Sequence, residues 1–391
     1  EQHSSAMKLS VTTLIIVFQT CTSLSIRQPN RRDFIASSVA SASFPFAPAY
    51  GNAIENQRLS SIPLPPIGQG AWAWGDSIYW GYDKKNDDDL KDVFQYALDN
   101  KLPAFFDTAE LYGFGRSEEL IGKFRDELCK TPEEREKVVI ASKFAPLPWR
   151  SSREEVVKAC KASVKRLGAP IDLYQIHFPN AKHNEEYWDG LADCFEQGLV
   201  KSVGVSNYGV DAIRACHASL AKRGIKLASN QIQMSLLYRW PIENGLLGTC
   251  NELDVKVLAY SPLALGFLTG KYSNQNLPSG PRAKIGKQLF QDGSCEELLT
   301  LMKNIAGNHG DEIPISQVAL NWTISKGTIP IPGARTVRQA EKNLSTLEWS
   351  LTNDEVKQLD EISMKVTGFV TPDKNPFPRQ DLNTGLVMYD S

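Results

Sequence analysis

In the stretch FFDTAELYG an aspartate, Asp107, closes an apolar run, and a tyrosine, Tyr112, follows five positions later. Two further apolar runs, VVIASKF and DLYQIHF, carry Lys143 and His177 at the equivalent place near their ends. Taken singly, each residue has a bland explanation: a helix cap, a packing tyrosine, a solvated strand end, a core histidine. Together they are a device for moving a proton. A phenol with a pKa of about 10 gives up its proton reluctantly at neutral pH, and a neighbouring ammonium stabilises phenolate and lowers that value. A carboxylate would keep the ammonium charged and fixed. An imidazole within hydrogen-bond reach would orient a carbonyl oxygen or assist the transfer. The four residue types therefore point to an acid acting on a carbonyl, provided the fold gathers them.

The elements that would gather them are regular. Short runs rich in Val, Ile and Phe occur at 67–74, 103–108, 138–144, 172–178, 201–207, 228–234, 255–261 and 328–333. They lack strict alternation, as parallel strands covered on both faces do. Amphipathic stretches lie between them. NDDDLKDVFQYALDN opens with acids, SREEVVKACKASVKRLG and VDAIRACHASLAKRG close on Gly168 and Gly224, and PISQVALNWTISKG and TVRQAEKNL carry the same marks. Eight such units predict an α/β fold of the (β/α)8 TIM-barrel type in a single domain. No GxGxxG follows the first strand, which argues against an open doubly wound sheet. In such a barrel chemistry gathers at the C-terminal ends of the strands, where Asp107, Lys143 and His177 fall, with Tyr112 in the loop after the second. A Gly- and Pro-bearing excursion runs from Ser261 to Gln291 after strand seven, and a polar tail follows about Val366.

Composition narrows the partners. The chain has 391 residues, 42% hydrophobic and 23% charged, with a formal net charge of −2. There is no basic surplus of the kind that nucleic acid demands, and charge gives no reason to expect membrane association. Seven cysteines are scattered singly without a CxxC pair, which fits reduced thiols better than a metal site or a disulfide framework.

The N-terminal 53 residues read as addresses rather than as fold. After Met7 and Lys8 comes LSVTTLIIVF, a short apolar core followed by small residues, as in a signal peptide and too short for a membrane span. A second segment, NRRDFIASSVASASFPFAPAYGNA, sets Arg31 and Arg32 before an apolar run and resembles a twin-arginine signal. Residues 1–53 are thus expected to be a removable leader and 54–391 the barrel with its tail. Two addresses in series are similar to the bipartite leaders and transit segments of plastid proteins, leading to the chloroplast stroma or thylakoid lumen. The alternative is the secretory pathway.

FFDTAELYG, ASKF, DLYQIHF, VGVSNYG, ASNQIQMSLLYR, LAYSPLALGFLTGKY and IPIPGARTVRQAEKNL resemble, in order, the signatures of the aldo-keto reductase family, from about Ile62 to about Ser363. KFAPLPWR, SGPR and IPIPGA are most similar to plastid-targeted plant-type members, in agreement with the leader. The resemblance implies a catalytic tetrad of Asp107, Tyr112, Lys143 and His177, with Tyr112 as general acid. It implies that Ser206, Asn207 and Gln231 hold a nicotinamide carboxamide and that Tyr260 stacks on the ring. Ser261, Leu263 and Gly266 would clamp the pyrophosphate with help from Lys271, which makes the long excursion a cofactor clamp. At the adenosine end Gly333, Arg335, Gln339 and Asn343 would take part. Here Gln339 stands where the family often has Arg, and Lys342 replaces a usual Glu. Arg335 or Arg338 would pair with a 2′-phosphate, since guanidinium binds phosphate bidentately, so NADPH/NADP+ is favoured over NADH. Trp72, Trp74, Trp149, Phe178 and the tail would line the pocket of an aromatic or apolar carbonyl substrate.

The expected activity is NADPH-dependent reduction of an aldehyde or ketone without a metal. Two rivals stand beside it. Some proteins with this barrel are regulatory subunits of potassium channels, which would make the chain a cofactor-sensing module. A Schiff-base enzyme using Lys143 is the other, against which Asp107 and Tyr112 argue.

Overall fold

The computed structural model describes residues 62–366, apart from positions 78, 181 and 281, together with Arg58–Leu59, Arg379–Gln380 and Val387–Met388. The leader and most of the tail lie outside the described residues, as does any part of the tail in a substrate pocket. Eight parallel strands follow one another in both sequence and sheet order. They are β1 (Gln69–Gly70), β2 (Ala104–Asp107), β3 (Val138–Phe144), β4 (Leu173–Ile176), β5 (Val203–Ser206), β6 (Leu227–Gln233), β7 (Lys256–Tyr260) and β8 (Ile329–Pro330). The ring closes where Gly70 bridges Gly333, with Gly68 N donating to Pro330 O at 2.9 Å and Gly70 N to Pro332 O at 3.0 Å. Closure needs the glycine: a Cβ on Gly70 would stand 2.8 Å from Ile331 O.

All eight expected strands are present with helices between them, although the helix expected to close on Gly224 already ends at Ala221. Asp87–Asp99 carries three acids in its first turn, Arg153–Leu167 ends on a left-handed Gly168, and Thr336 caps Val337–Leu344 by accepting from Gln339 N. The first strand is shorter than the apolar run at 67–74 suggested. After Gly70 the chain turns, with Trp74 N donating to Ala71 O at 3.0 Å.

Two apolar layers flank the strands. Phe105, Val139, Ala141, Leu173, Leu258, Ile329 and Ile331 fill the barrel. The outward faces, with Phe106, Val138, Ile140 and Phe144 among them, pack against the helices. This layering makes the barrel a solid core, so chemistry is confined to its mouth.

Candidate active site

The period of two along a strand delivers the central pair. On β3, Val139 and Ala141 point into the barrel and Lys143 continues their row; on β2, Phe105 does the same for Asp107. Each row is apolar until its last member, so the two charges meet at the top of a dry core. Lys143 is fully buried, its Nζ lying 2.5 Å from Asp107 Oδ1 and donating to Thr108 O at 2.8 Å. A buried ammonium requires such partners. The other Asp107 oxygen accepts from Gln231 Nε2 at 2.7 Å and from Gln175 Nε2 at 3.5 Å. Burial pushes the Lys143 amine below its ordinary value, and Asp107 opposes that shift. An amine so enclosed is poorly placed to attack a substrate carbonyl, which weighs against a Schiff-base enzyme.

Tyr112 reaches this pair across a tight turn. Gly113, Phe114 and Gly115 all have left-handed backbones, with φ of 58°, 56° and 93°. The turn is pressed against the loop after β1, where a Cβ on Gly113 would stand 2.4 Å from Gly75 O. Gly113→Ala is therefore expected to lower stability by about 1–3 kcal/mol and to reduce turnover by moving Tyr112. Thermal unfolding and kcat of the variant check both. Lys143 Nζ donates to Tyr112 Oη at 3.4 Å and lies 4.9 Å from the ring centroid. The His177 ring meets Tyr112 edge-on at 5.8 Å.

The electrostatics differ from expectation in one respect. Desolvation lifts the Tyr112 phenol well above its ordinary 10.0, and the Asp107 and Asp76 carboxylates add to the shift. The lysine was expected to lower it, but Lys143 comes paired with Asp107, so little net positive charge is left to favour phenolate. His177 moves the other way. Desolvation and then the Lys143 charge hold its imidazole well below 6.5, so it is neutral, and its buried Nδ1 has no hydrogen-bond partner.

Beside the tetrad, four expected cofactor residues are joined in one network. Ser206 Oγ and Asn207 N donate to Gln231 O at 2.8 and 2.9 Å. Asn207 Nδ2 donates to His177 O at 3.1 Å, and Tyr260 Oη donates to Asn207 Oδ1 at 2.9 Å. Asn207 itself has φ of 62°, a conformation that asparagine tolerates better than most side chains. Beyond Tyr260 the loop holds Ser261, Ala264, Leu265 and Gly266 at φ of 50°, 48°, 57° and 94°. Its turns are tied by Ala264 N to Ser261 O at 2.8 Å and by Gly266 N to Leu263 O at 2.9 Å. Non-glycine residues held this way store about 1–3 kcal/mol each, and such strain collects at ligand clamps.

Of the expected cations, Lys271 is exposed, its Nζ 5.5 Å from the Tyr272 ring. Arg282, from SGPR and not among the expected cations, folds back onto the strained loop, donating to Leu265 O at 3.2 Å. After β8, Gly333 is exposed and its carbonyl accepts from Asn343 Nδ2 at 3.5 Å. Arg335 N donates to the Gln339 side chain at 2.8 Å, and Arg335 Nη1 to Trp80 O at 3.1 Å.

The expected pocket residues divide. Trp72 stacks on Tyr112 at 6.2 Å, and Phe178 lies 5.8 Å from the His177 ring. Trp74 does not face the mouth: it is fully buried between Phe106 and Phe124, and its Nε1 donates to Ala334 O at 2.8 Å. The turn after Gly70 carries it into the core. Trp149 is 64% exposed and stands out from the loop after β3 rather than forming a wall. Sequence reasoning missed Tyr79 and Trp80, which build the aromatic cluster around Trp72. It also missed Glu110, whose carboxylate accepts from Ala145 N at 2.7 Å and pairs with Arg150, tying the β3 loop to the Tyr112 turn.

A family model described as the aldo/keto reductase family matches residues 66–364. The chloroplastic pyridoxal reductase of Arabidopsis thaliana is 42% identical over 312 residues, covering 78% of this chain and 84% of its own length. A glycerol dehydrogenase of Gluconobacter oxydans matches with a TM-score of 0.67 at 26% identity, covering 80% of this chain and 95% of that one. An aldo-keto reductase from Klebsiella pneumoniae in complex with NADPH gives 0.60 at 25% identity, covering 77% and 92%.

Proposed function

The chain belongs to the aldo/keto reductase family, an NADP(H)-dependent oxidoreductase family, and from that premise we propose that it reduces an aldehyde to an alcohol with Tyr112 as the proton donor. The observation that carries this reading is one ammonium, Lys143 Nζ, held 2.5 Å from Asp107 and 3.4 Å from the Tyr112 hydroxyl. The residues around it suit a dinucleotide. The Ser206, Asn207 and Gln231 network offers amide and hydroxyl groups to a carboxamide, the strained loop from Ser261 to Gly266 suits a pyrophosphate, and Arg282 and Arg335 offer cations to phosphates. When bound, NADPH supplies the hydride.

The chain's own residues do the rest. The neutral His177 holds the carbonyl oxygen without competing as an acid. Tyr112 gives its proton to that oxygen as the carbon is reduced, completing the alcohol. Lys143, fixed by Asp107 and Thr108, steadies the phenolate left behind until solvent protons refill it. A phenol above its ordinary value remains a competent donor here, because an alkoxide is far more basic still. The reverse reaction needs phenolate, which such a phenol yields poorly.

This difference fixes the pH profile. Tyr112 keeps its proton to beyond pH 10 and His177 stays neutral to well below pH 6.5. Reduction is therefore expected to be flat from about pH 6.5 to 9, while oxidation of the same alcohol climbs with pH across that range. Initial rates in both directions test it, and a reductive optimum falling away on both sides of pH 7 would contradict the assignment.

Pyridoxal is the first substrate to try. The 42% identical relative is a pyridoxal reductase, and Trp72, Tyr79 and Trp80 offer flat faces to a heteroaromatic aldehyde. Purified protein is expected to consume NADPH in the presence of pyridoxal and more slowly with NADH. Loss of nicotinamide absorbance across an aldehyde panel checks this, and no turnover with any member would count against it. We also read the protein as plastid-located, from residues 1–53 and the chloroplastic relative. Fractionation of a tagged chain decides the compartment.

A further inference from the structure

We propose that Trp80 is a positioning residue that couples the cofactor's 2′-phosphate to the substrate site, so that aldehyde binding depends on which cofactor is present. The inference rests on the reductase reading above and adds a route by which the two sites communicate.

Trp80 touches every part such a route needs. On one side its carbonyl accepts from Arg335 Nη1 at 3.1 Å, and its ring lies 5.4 Å from the Arg282 guanidinium. Arg282 is itself tied to the strained loop through Leu265 O at 3.2 Å and lies 5.8 Å from the Tyr272 ring. On the other side the Trp80 ring meets Trp72 edge-on at 5.4 Å and Tyr79 at 5.2 Å. Trp72 stacks on Tyr79 at 5.1 Å and on Tyr112 at 6.2 Å. Two arginines suited to phosphate thus connect to the catalytic phenol through two tryptophans in direct contact.

The contacts on the arginine side are weak ones for a guanidinium. A neutral carbonyl and an aromatic face offer partial charge, whereas a phosphate accepts two charge-assisted hydrogen bonds in the planar geometry that guanidinium presents. A 2′-phosphate would therefore draw Arg335 from Trp80. The present packing of Trp80 is also incomplete, since its Nε1 is buried without a hydrogen-bond partner. Once Arg335 lets go of the Trp80 carbonyl, the backbone there can shift and carry the indole to a partner for that donor, and Trp72 and Tyr79 must follow because they pack on the ring. A ligand shifts such an arrangement only as far as its differential affinity allows. The 2′-phosphate is what NADP+ has and NAD+ lacks, so only the former releases Trp80 and opens the aromatic wall to substrate.

The test measures binding and turnover separately. Dissociation constants for NADP+ and NAD+ are measured with and without pyridoxal, alongside the pyridoxal KM with NADPH and with NADH. Coupling of ordinary size predicts that pyridoxal tightens NADP+ by about fivefold or more and leaves NAD+ nearly unchanged, with a matching difference in KM. Trp80→Ala should abolish that difference while keeping the preference for NADP+ over NAD+; Arg335→Ala should abolish both. Trp80→Leu, which keeps more volume without an aromatic face, replaces the alanine variant if that one does not bind NADP+. Equal tightening of both cofactors in the wild type, or a difference that survives loss of the indole, overturns the proposal. Absence of hydride transfer with intact coupling in the binding data would instead count against the reductase reading.

Discussion

Replacing Tyr112 with phenylalanine is expected to lower kcat for aldehyde reduction by about 10²-fold or more, with NADPH binding within about twofold of wild type. The substitution removes one oxygen and leaves the ring, so the stack on Trp72 and the edge contact with His177 persist. What goes is the hydroxyl that the Lys143 ammonium reaches. Neither remaining neighbour can substitute. His177 is held neutral, and the Lys143 ammonium is committed to Asp107 and Thr108. Stopped-flow binding of NADPH and steady-state kcat separate the two effects. A variant that binds the cofactor and turns over at the wild-type rate would remove Tyr112 from the mechanism.

The second large effect belongs to the ion pair. Asp107→Asn should destabilise the fold by about 3–5 kcal/mol, because it leaves a fully buried ammonium without its counter-charge. Turnover should fall as well, since Lys143 would then shed its proton or shift away from Tyr112. Asp107→Asn combined with Lys143→Met removes both charges. That double variant is expected to regain most of the lost stability while remaining inactive, since paired removal of a buried ion pair is often nearly neutral. Chemical unfolding of the single and double variants measures this. A single variant as stable as wild type would mean that the pair is less dry than its burial implies.

Much of the site was legible because strand periodicity is a local property. Phe105 and Asp107, or Val139, Ala141 and Lys143, lie on one face whatever the rest of the chain does, so an apolar row ending in a charge marks a barrel mouth. Trp74 was misassigned because GAWAW has the composition of a strand; only the turn after Gly70 sends the indole to Ala334, 260 residues away. The direction of the Tyr112 shift was also hidden, since it depends first on burial and then on the Asp107 and Asp76 carboxylates outweighing the paired lysine. Arg282 was not singled out in the long excursion, and only the fold shows that it turns inward while Lys271 is exposed. Contacts such as Arg335 to Trp80, 255 residues apart, leave no local trace.

The central claim is hydride transfer from NADPH to a carbonyl carbon, assisted by the tetrad at the barrel mouth. Incubation of the purified chain with NADPH deuterated at nicotinamide C4 and with pyridoxal, followed by mass analysis of the alcohol, tests it most directly. The account predicts one deuterium on the new carbinol carbon, delivered from one face of the nicotinamide only. An alcohol without deuterium from either face-labelled cofactor, or no alcohol from any aldehyde tried, would contradict it.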